Sequence, residues 1–275
     1  MWQKRAIKYA KNFHETNNSN ILLSQLQQIH LSNYSSSNNK LDNIKQLDNE
    51  QIYPSKYGNF IYTPKTQPKS RLVCYYTSPN DSRRSPHNYA ESLKSPLHLL
   101  PKNIDAHLCT HLNVGILEIE NNRIVVTDNM KTVFEQVFEL KRTNGMLKVL
   151  LWVGGADAGG FSDMVENHAN RKEFIQSLKF LLETYRFDGV DIDWEFPSAY
   201  HRERQHFTQL LHEIRREYQR EHRTYLLSVA VAAPEGIAFF AYDIAELNNY
   251  ADFINIMTYD YHFYTKDTPF TGKLN

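Results

Sequence analysis

An α/β fold built on a parallel sheet is what the sequence predicts, and three features predict it. From Arg71 onward, short apolar runs alternate with longer segments of helical period. Nine of the ten glycines, residues that punctuate such elements, lie beyond that point. Two of the runs, Val149-Leu150-Leu151 and Ile254-Asn255-Ile256-Met257, are apolar enough for strands covered on both faces. Strands that alternate with helices are joined by right-handed crossovers, which makes neighbouring strands parallel.

In chain order, the first element is an arm. Residues 1–70 hold ten Asn, seven Gln and eight Ser, with runs such as Asn17-Asn18-Ser19-Asn20. Such a segment buries too little to offset the ordering of its backbone, about 1–2 kcal/mol per residue. Disorder is therefore expected over residues 1–70. Residues 52–70, with Pro54, Pro64 and Pro68, are expected to act as a linker. Residues 71–275 are the expected folded domain. Strands are predicted at 72–77, 111–119, 147–153, 189–194, 226–232 and 253–259. In one gap, Phe174, Leu178, Leu181 and Tyr185 recur at three and four residues, with Asn170 three before Glu173 as in a capping box. In the next, Phe207, Leu210, Leu211, Ile214 and Tyr218 make the same stripe. These are about six βα units. A closed eight-stranded barrel takes about 250 residues, whereas 205 follow Ser70.

Composition narrows the function. Thirty-one basic residues balance 31 acidic ones, which argues against a nucleic-acid partner, since such proteins carry a basic excess. No stretch approaches the roughly 18 apolar residues of a membrane span. Residues 1–13 carry Lys4, Arg5, Lys8 and Lys11 without an apolar core behind them, so no secretory leader is read there. Trp2, Ile7, Tyr9 and Phe13 give at most a weakly amphipathic helix. Two cysteines are too few for a four-thiolate zinc site and allow either one bridge or two free thiols. No His-Glu-x-x-His spacing exists, so neither metal nor cofactor is expected. Met146, Met164 and Met257 are expected to be packing residues.

The strongest chemical signal is Phe187-Asp188-Gly189-Val190-Asp191-Ile192-Asp193-Trp194-Glu195. Strand side chains alternate, so Asp191, Asp193 and Glu195 share one face and Val190, Ile192 and Trp194 take the other. Three acids in one row repel each other, which raises one or more pKa values. A carboxylic acid kept protonated near neutral pH can act as a general acid. Glu195 falls at the carboxyl end of its strand, the end where barrel enzymes carry their chemistry. A calcium loop is a poor alternative, because the spacing lacks its central glycine and closing glutamate.

Asp188 to Glu195 resembles the DxxDxDxE signature of family-18 glycoside hydrolases, the chitinases and chitinase-like lectins. The resemblance extends to Cys74-Tyr75-Tyr76-Thr77, to Cys109-Thr110-His111-Leu112, to Lys148-Val149-Leu150-Leu151-Trp152-Val153-Gly154-Gly155 and to Phe253-Ile254-Asn255-Ile256-Met257-Thr258-Tyr259-Asp260. It covers residues 71–275. It implies a (β/α)8 TIM-type barrel, here with about six of its βα units, as in a chain truncated after the sixth strand. It implies cleavage of β-1,4-N-acetylglucosamine linkages in chitin or chito-oligosaccharides, with Glu195 as acid, Asp193 orienting the acetamido group and Asp191 tuning Asp193. By the same resemblance Tyr259 donates to the acetamido oxygen, Met257 and Asp260 line that subsite, and Tyr75 sits beneath the two aspartates. It further implies a Cys74–Cys109 disulfide, an extracellular destination and a monomer. Asn17, Asn33 and Asn80 head possible glycosylation triplets.

The departures are as informative. Trp152 stands where the family has Ser, Ala156 where it often has Trp, Pro79 for another Trp, and Ile116 for a Phe. Sugar rings stack on aromatic faces, so the acids are retained while the platform is reduced. Trp152 is expected to be a core residue, with a substitute platform as the alternative. A non-catalytic chitin-binding lectin or growth-factor-like protein is the alternative function.

Overall fold

The computed structural model describes residues 70–78, 99–198 and 201–259. The expected arm and linker, the triplets at Asn17, Asn33 and Asn80, Pro79 and Asp260 lie outside the described residues. The described elements are β1 (Val73–Thr77), β2 (His111–Glu120), β3 (Arg123–Val125), α1 (Asp128–Thr143), β4 (Lys148–Gly154), α2 (Phe161–Val165), α3 (His168–Tyr185), β5 (Gly189–Asp193), α4 (Glu203–Arg220), β6 (Leu226–Ala232), α5 (Glu235–Ala241), α6 (Ile244–Tyr250) and β7 (Phe253–Met257).

Six strands run parallel in the order β1-β2-β4-β5-β6-β7, each beside its successor. The sheet is strongly curled. Strands β2 and β7 are four steps apart, about 19 Å in a flat sheet, yet the rings of His111 and Phe253 lie 5.2 Å apart. From β1, Tyr75 likewise reaches Asp191 on β5. The architecture is that of a TIM-type (β/α) barrel, with six parallel strands described. All six predicted strands are present within two residues of their expected ends. The 253–259 strand stops at Met257.

Each helix forms where an apolar stripe has something to cover. In α1, Met130, Val133, Phe134, Val137 and Leu140 are buried, and the Thr127 side chain accepts the Met130 backbone N–H at the start. In α3, Phe174, Ile175, Leu178, Leu181 and Leu182 face inward. Its cap corrects the expectation. Asn167, not Asn170, is the N-cap, accepting the Asn170 N–H at 3.0 Å. Asn170 lies inside the helix and its amide donates to the Asp163 carbonyl. The β2–β3 hairpin went unpredicted. Its loop, Asn121-Asn122, has φ of 46° and 61°, a two-residue turn that asparagine tolerates better than most side chains.

Two aspartates set the strand register from below. Asp188, just before β5, exchanges backbone bonds with Val149 and Leu226, and its Oδ2 accepts the Val149 N–H at 2.8 Å. Lys141 Nζ closes on the same oxygen at 2.7 Å. Asp252, just before β7, repeats the device on β6: Oδ2 accepts the Leu227 N–H at 2.8 Å and pairs with Arg215 at 2.7 Å. At Gly115 a Cβ would fall 2.4 Å from the Trp152 carbonyl oxygen, so only glycine lets β2 run this close to β4.

Cys74 and Cys109 form a disulfide, with Cα atoms 6.1 Å apart. A closed loop of 35 residues is worth about 3–4 kcal/mol. Met164 and Met257 pack in the interior. Met146 does not. It is 82% exposed in the turn before β4.

Candidate active site

The acids lie where strand alternation put them. Asp191 and Asp193 are buried on the concave face of β5, and Glu195 stands two residues beyond the strand's end, partly exposed. The opposite face is apolar. Trp194 stacks on Phe161 at 5.2 Å and meets Phe207 edge-on at 5.7 Å, which anchors the strand to α2 and α4.

Asp191 is the more fully held acid. Its Oδ2 accepts the Tyr75 hydroxyl at 2.9 Å, and its Oδ1 accepts Ser228 Oγ at 2.5 Å and Asn255 Nδ2 at 3.0 Å. Burial nevertheless raises its pKa, against the pull of those donors. Burial also raises the Tyr75 pKa, with the Asp191 charge adding to it. The hydroxyl therefore stays protonated and stays a donor. Asp193 has one side-chain donor, the indole N–H of Trp152, at 2.9 Å from Oδ2. Its Oδ1 is buried without a hydrogen-bond partner among the described residues. Burial, then the charges of Glu195 and Asp191, push its pKa up to about 8. Repulsion alone was the expected cause; burial is the larger one.

The other predicted residues fall as follows. Met257 is buried on β7. Tyr259 lies two residues past that strand and is 57% exposed. Asp260 is outside the described residues. Trp152 is 9% exposed with its N–H engaged, so it is a core residue and not a stacking platform. Ser228, Asn255 and Asn113 were not anticipated. Asn255 and Ser228 carried a signal, a polar residue in an apolar strand. Asn113 is fully buried on β2, where its amide lies beside Tyr75 and Asp191 and lowers the pKa of each against the effect of burial. No cluster of three or more His, Cys, Asp or Glu suited to a metal occurs among the described residues. No described helix is long and apolar enough to cross a membrane.

A curled parallel barrel whose buried Asp191 and Asp193 lead to a partly exposed Glu195 suits an acid-catalysed barrel enzyme, and the comparisons name the family. Residues 71–274 match Glycosyl hydrolases family 18; the chain belongs to this family. Human chitinase-3-like protein 2 is 33% identical over 200 residues, 70% of this chain and 48% of that protein. Mouse chitotriosidase-1 is 31% identical over 204 residues, 70% of this chain and 42% of that protein. Among solved structures, human YKL-39, described as a pseudo-chitinase with retained chitooligosaccharide binding properties, superposes with a TM-score of 0.60. It is 32% identical and covers 70% of this chain and 52% of its own. Ostrinia furnacalis Group IV chitinase, in complex with allosamidin, also gives 0.60, at 31% identity and the same coverage. The chain spans about half the length of the curated relatives it matches.

Proposed function

We propose that the protein hydrolyses β-1,4-N-acetylglucosamine linkages in chitin or chito-oligosaccharides, with the substrate's own acetamido group as nucleophile. Such substrate-assisted catalysis is a known exception to the two-carboxylate scheme. Glu195 gives its proton to the bridging glycosidic oxygen as the bond to the anomeric carbon breaks. The acetamido oxygen bonds to that carbon, forming a cyclic oxazolinium ion. Asp193 orients the acetamido group and faces the resulting positive charge. Asp191 supports Asp193 from one level below. Tyr259, with Met257 and Asp260, completes the pocket for the acetamido group, and Tyr75 holds Asp191. Water then opens the ring and Glu195 recovers its proton, so the anomeric configuration is retained. The observation that carries the reading is the shared concave face of Asp191 and Asp193, in a strand that leads directly into Glu195.

The working unit is residues 71–275, with 1–70 as an arm, acting as a monomer without a cofactor. The Cys74–Cys109 bridge favours an oxidising, extracellular setting. The test is release of chromophore from a chromogenic chitobioside. Glu195→Gln is expected to lower turnover by about 10²–10⁴, the worth of a positioned general acid, while chito-oligosaccharide affinity is kept. Unchanged turnover would refute the assignment. A second reading is a sugar-binding protein without turnover. Ile116 and Ala156 favour it, since both positions lack the aromatic ring expected from the resemblance. Binding without chromophore release in the unaltered chain would select it.

A further inference from the structure

Trp152 touches both inner acids, one directly and one through a neighbour. Its indole N–H donates to Asp193 Oδ2 at 2.9 Å in a buried setting. Its ring meets Tyr75 edge-on, with centroids 4.8 Å apart and planes at 78°. Tyr75 in turn donates to Asp191. Part of the room for this ring comes from Gly155. A Cβ on Gly155 would fall 3.3 Å from Trp152 Cζ2, 3.5 Å from Ile116 Cδ1 and 3.6 Å from Asp193 Oδ2. Gly155 also has φ of +101°, a conformation that disfavours any side chain. Ile116 and Trp152 therefore converge over one glycine. The bulk missing on β2 is supplied from β4.

We propose that Trp152 is a positioning residue, whose N–H fixes Asp193 Oδ2 and whose ring braces Tyr75 on Asp191, leaving Asp193 Oδ1 as the atom for a ligand. An indole N–H is a donor only, so it bonds the ionised carboxylate of Asp193 more strongly than the protonated acid and favours ionisation. The groups facing Asp193 are Asp191 and Glu195 on its own strand, Tyr75 from β1 and the neutral Trp152 from β4. Ser228 on β6 and Asn255 on β7 hold Asp191 and carry no charge. Among these, only the Trp152 bond works against the burial and repulsion that keep Asp193 protonated. The orienting role of Asp193 rests on the function proposed above. The hydrogen bond and its effect on ionisation do not.

The test therefore uses no substrate. In the full chain with ¹³C-labelled aspartate carboxyls and ¹⁵N-labelled tryptophan, the Trp152 indole signal should move with the Asp193 titration, and Asp193→Asn should abolish that movement. Trp152→Phe keeps a ring and removes the donor. It should raise the Asp193 midpoint by about one to two pH units, the range a hydrogen bond to an ionised group commands. An unmoved Asp193 midpoint in folded Trp152→Phe would overturn the proposal. So would a Trp152 signal indifferent to Asp193. If the phenylalanine variant does not fold, the indole titration of the unaltered chain and of Asp193→Asn decides the matter alone. Loss or absence of hydrolysis leaves these readouts untouched.

Discussion

At the level of Asp191 the barrel interior closes around a carboxylate with three donors from three strands, Tyr75 on β1, Ser228 on β6 and Asn255 on β7. One level higher, Asp193 has a single donor from β4 and a second oxygen with no partner among the described residues. The two acids are two residues apart on one strand face and similarly buried. Buried polar atoms are nearly always satisfied, and an exception calls for an explanation. The contrast separates two duties. The lower acid ties strands together, and the upper one is left incomplete at the end of the barrel where Glu195 stands.

The largest effect expected from breaking this contrast is on stability. Asp191→Ala leaves three donors without their acceptor; Ser228 is fully buried, whereas Tyr75 and Asn255 have partial access to water, and a donor stranded in the interior costs about 1–3 kcal/mol. A loss of about 2–3 kcal/mol is expected in denaturant unfolding, seen as a lower midpoint at unchanged slope. Asp193→Asn strands nothing, because Trp152 can donate to the amide oxygen, so it should be far milder. Equal losses in the two variants would dissolve the distinction between the levels.

A second effect lies in the pH dependence. Asp193 has a native pKa of about 8, against roughly 3.9 in an unfolded chain. Between those values the native state holds a proton that the unfolded state has released, so stability falls as pH rises. The contribution is complete below about pH 4 and gone above about pH 8. Asp193→Asn should flatten the decline of the unfolding midpoint over that window. A residual slope should persist from Asp191, whose pKa burial also raises. Identical slopes in the variant and the unaltered chain would mean that Asp193 titrates normally.

The acids of both levels were legible in the sequence, and the donors that hold them were less so. Period-two alternation in Val190-Asp191-Ile192-Asp193-Trp194 is enough to place the acids on one face and Trp194 against the helical shell. The stripes of α3 and α4 follow from spacing alone. Trp152 as the donor to Asp193, and Ser228 and Asn255 as donors to Asp191, depend on cross-strand register and on how tightly the sheet curls. Neither quantity is written in a single strand. The α3 cap failed for a local reason. Asn167 and Asn170 are both plausible caps three residues apart, and the backbone before Asn167, with Asn170 bonded to Asp163, decides between them. Met146 failed because burial of a turn residue depends on what packs over the turn.

The smallest effect gives the finest test of the comparison. Ser228→Ala removes one donor of three from Asp191, and Tyr75 and Asn255 remain. A cost of about 1 kcal/mol is expected. The Asp191 midpoint should rise, since a donor to its ionised form is lost. That rise should be smaller than the one Trp152→Phe produces at Asp193, where the single side-chain donor among the described residues is lost. The two shifts can be read from the same ¹³C-aspartate titration. If Ser228→Ala moved Asp191 as far as Trp152→Phe moves Asp193, shared and single donors would be equivalent in this barrel. The asymmetry between its two acids would then need a cause other than donor count.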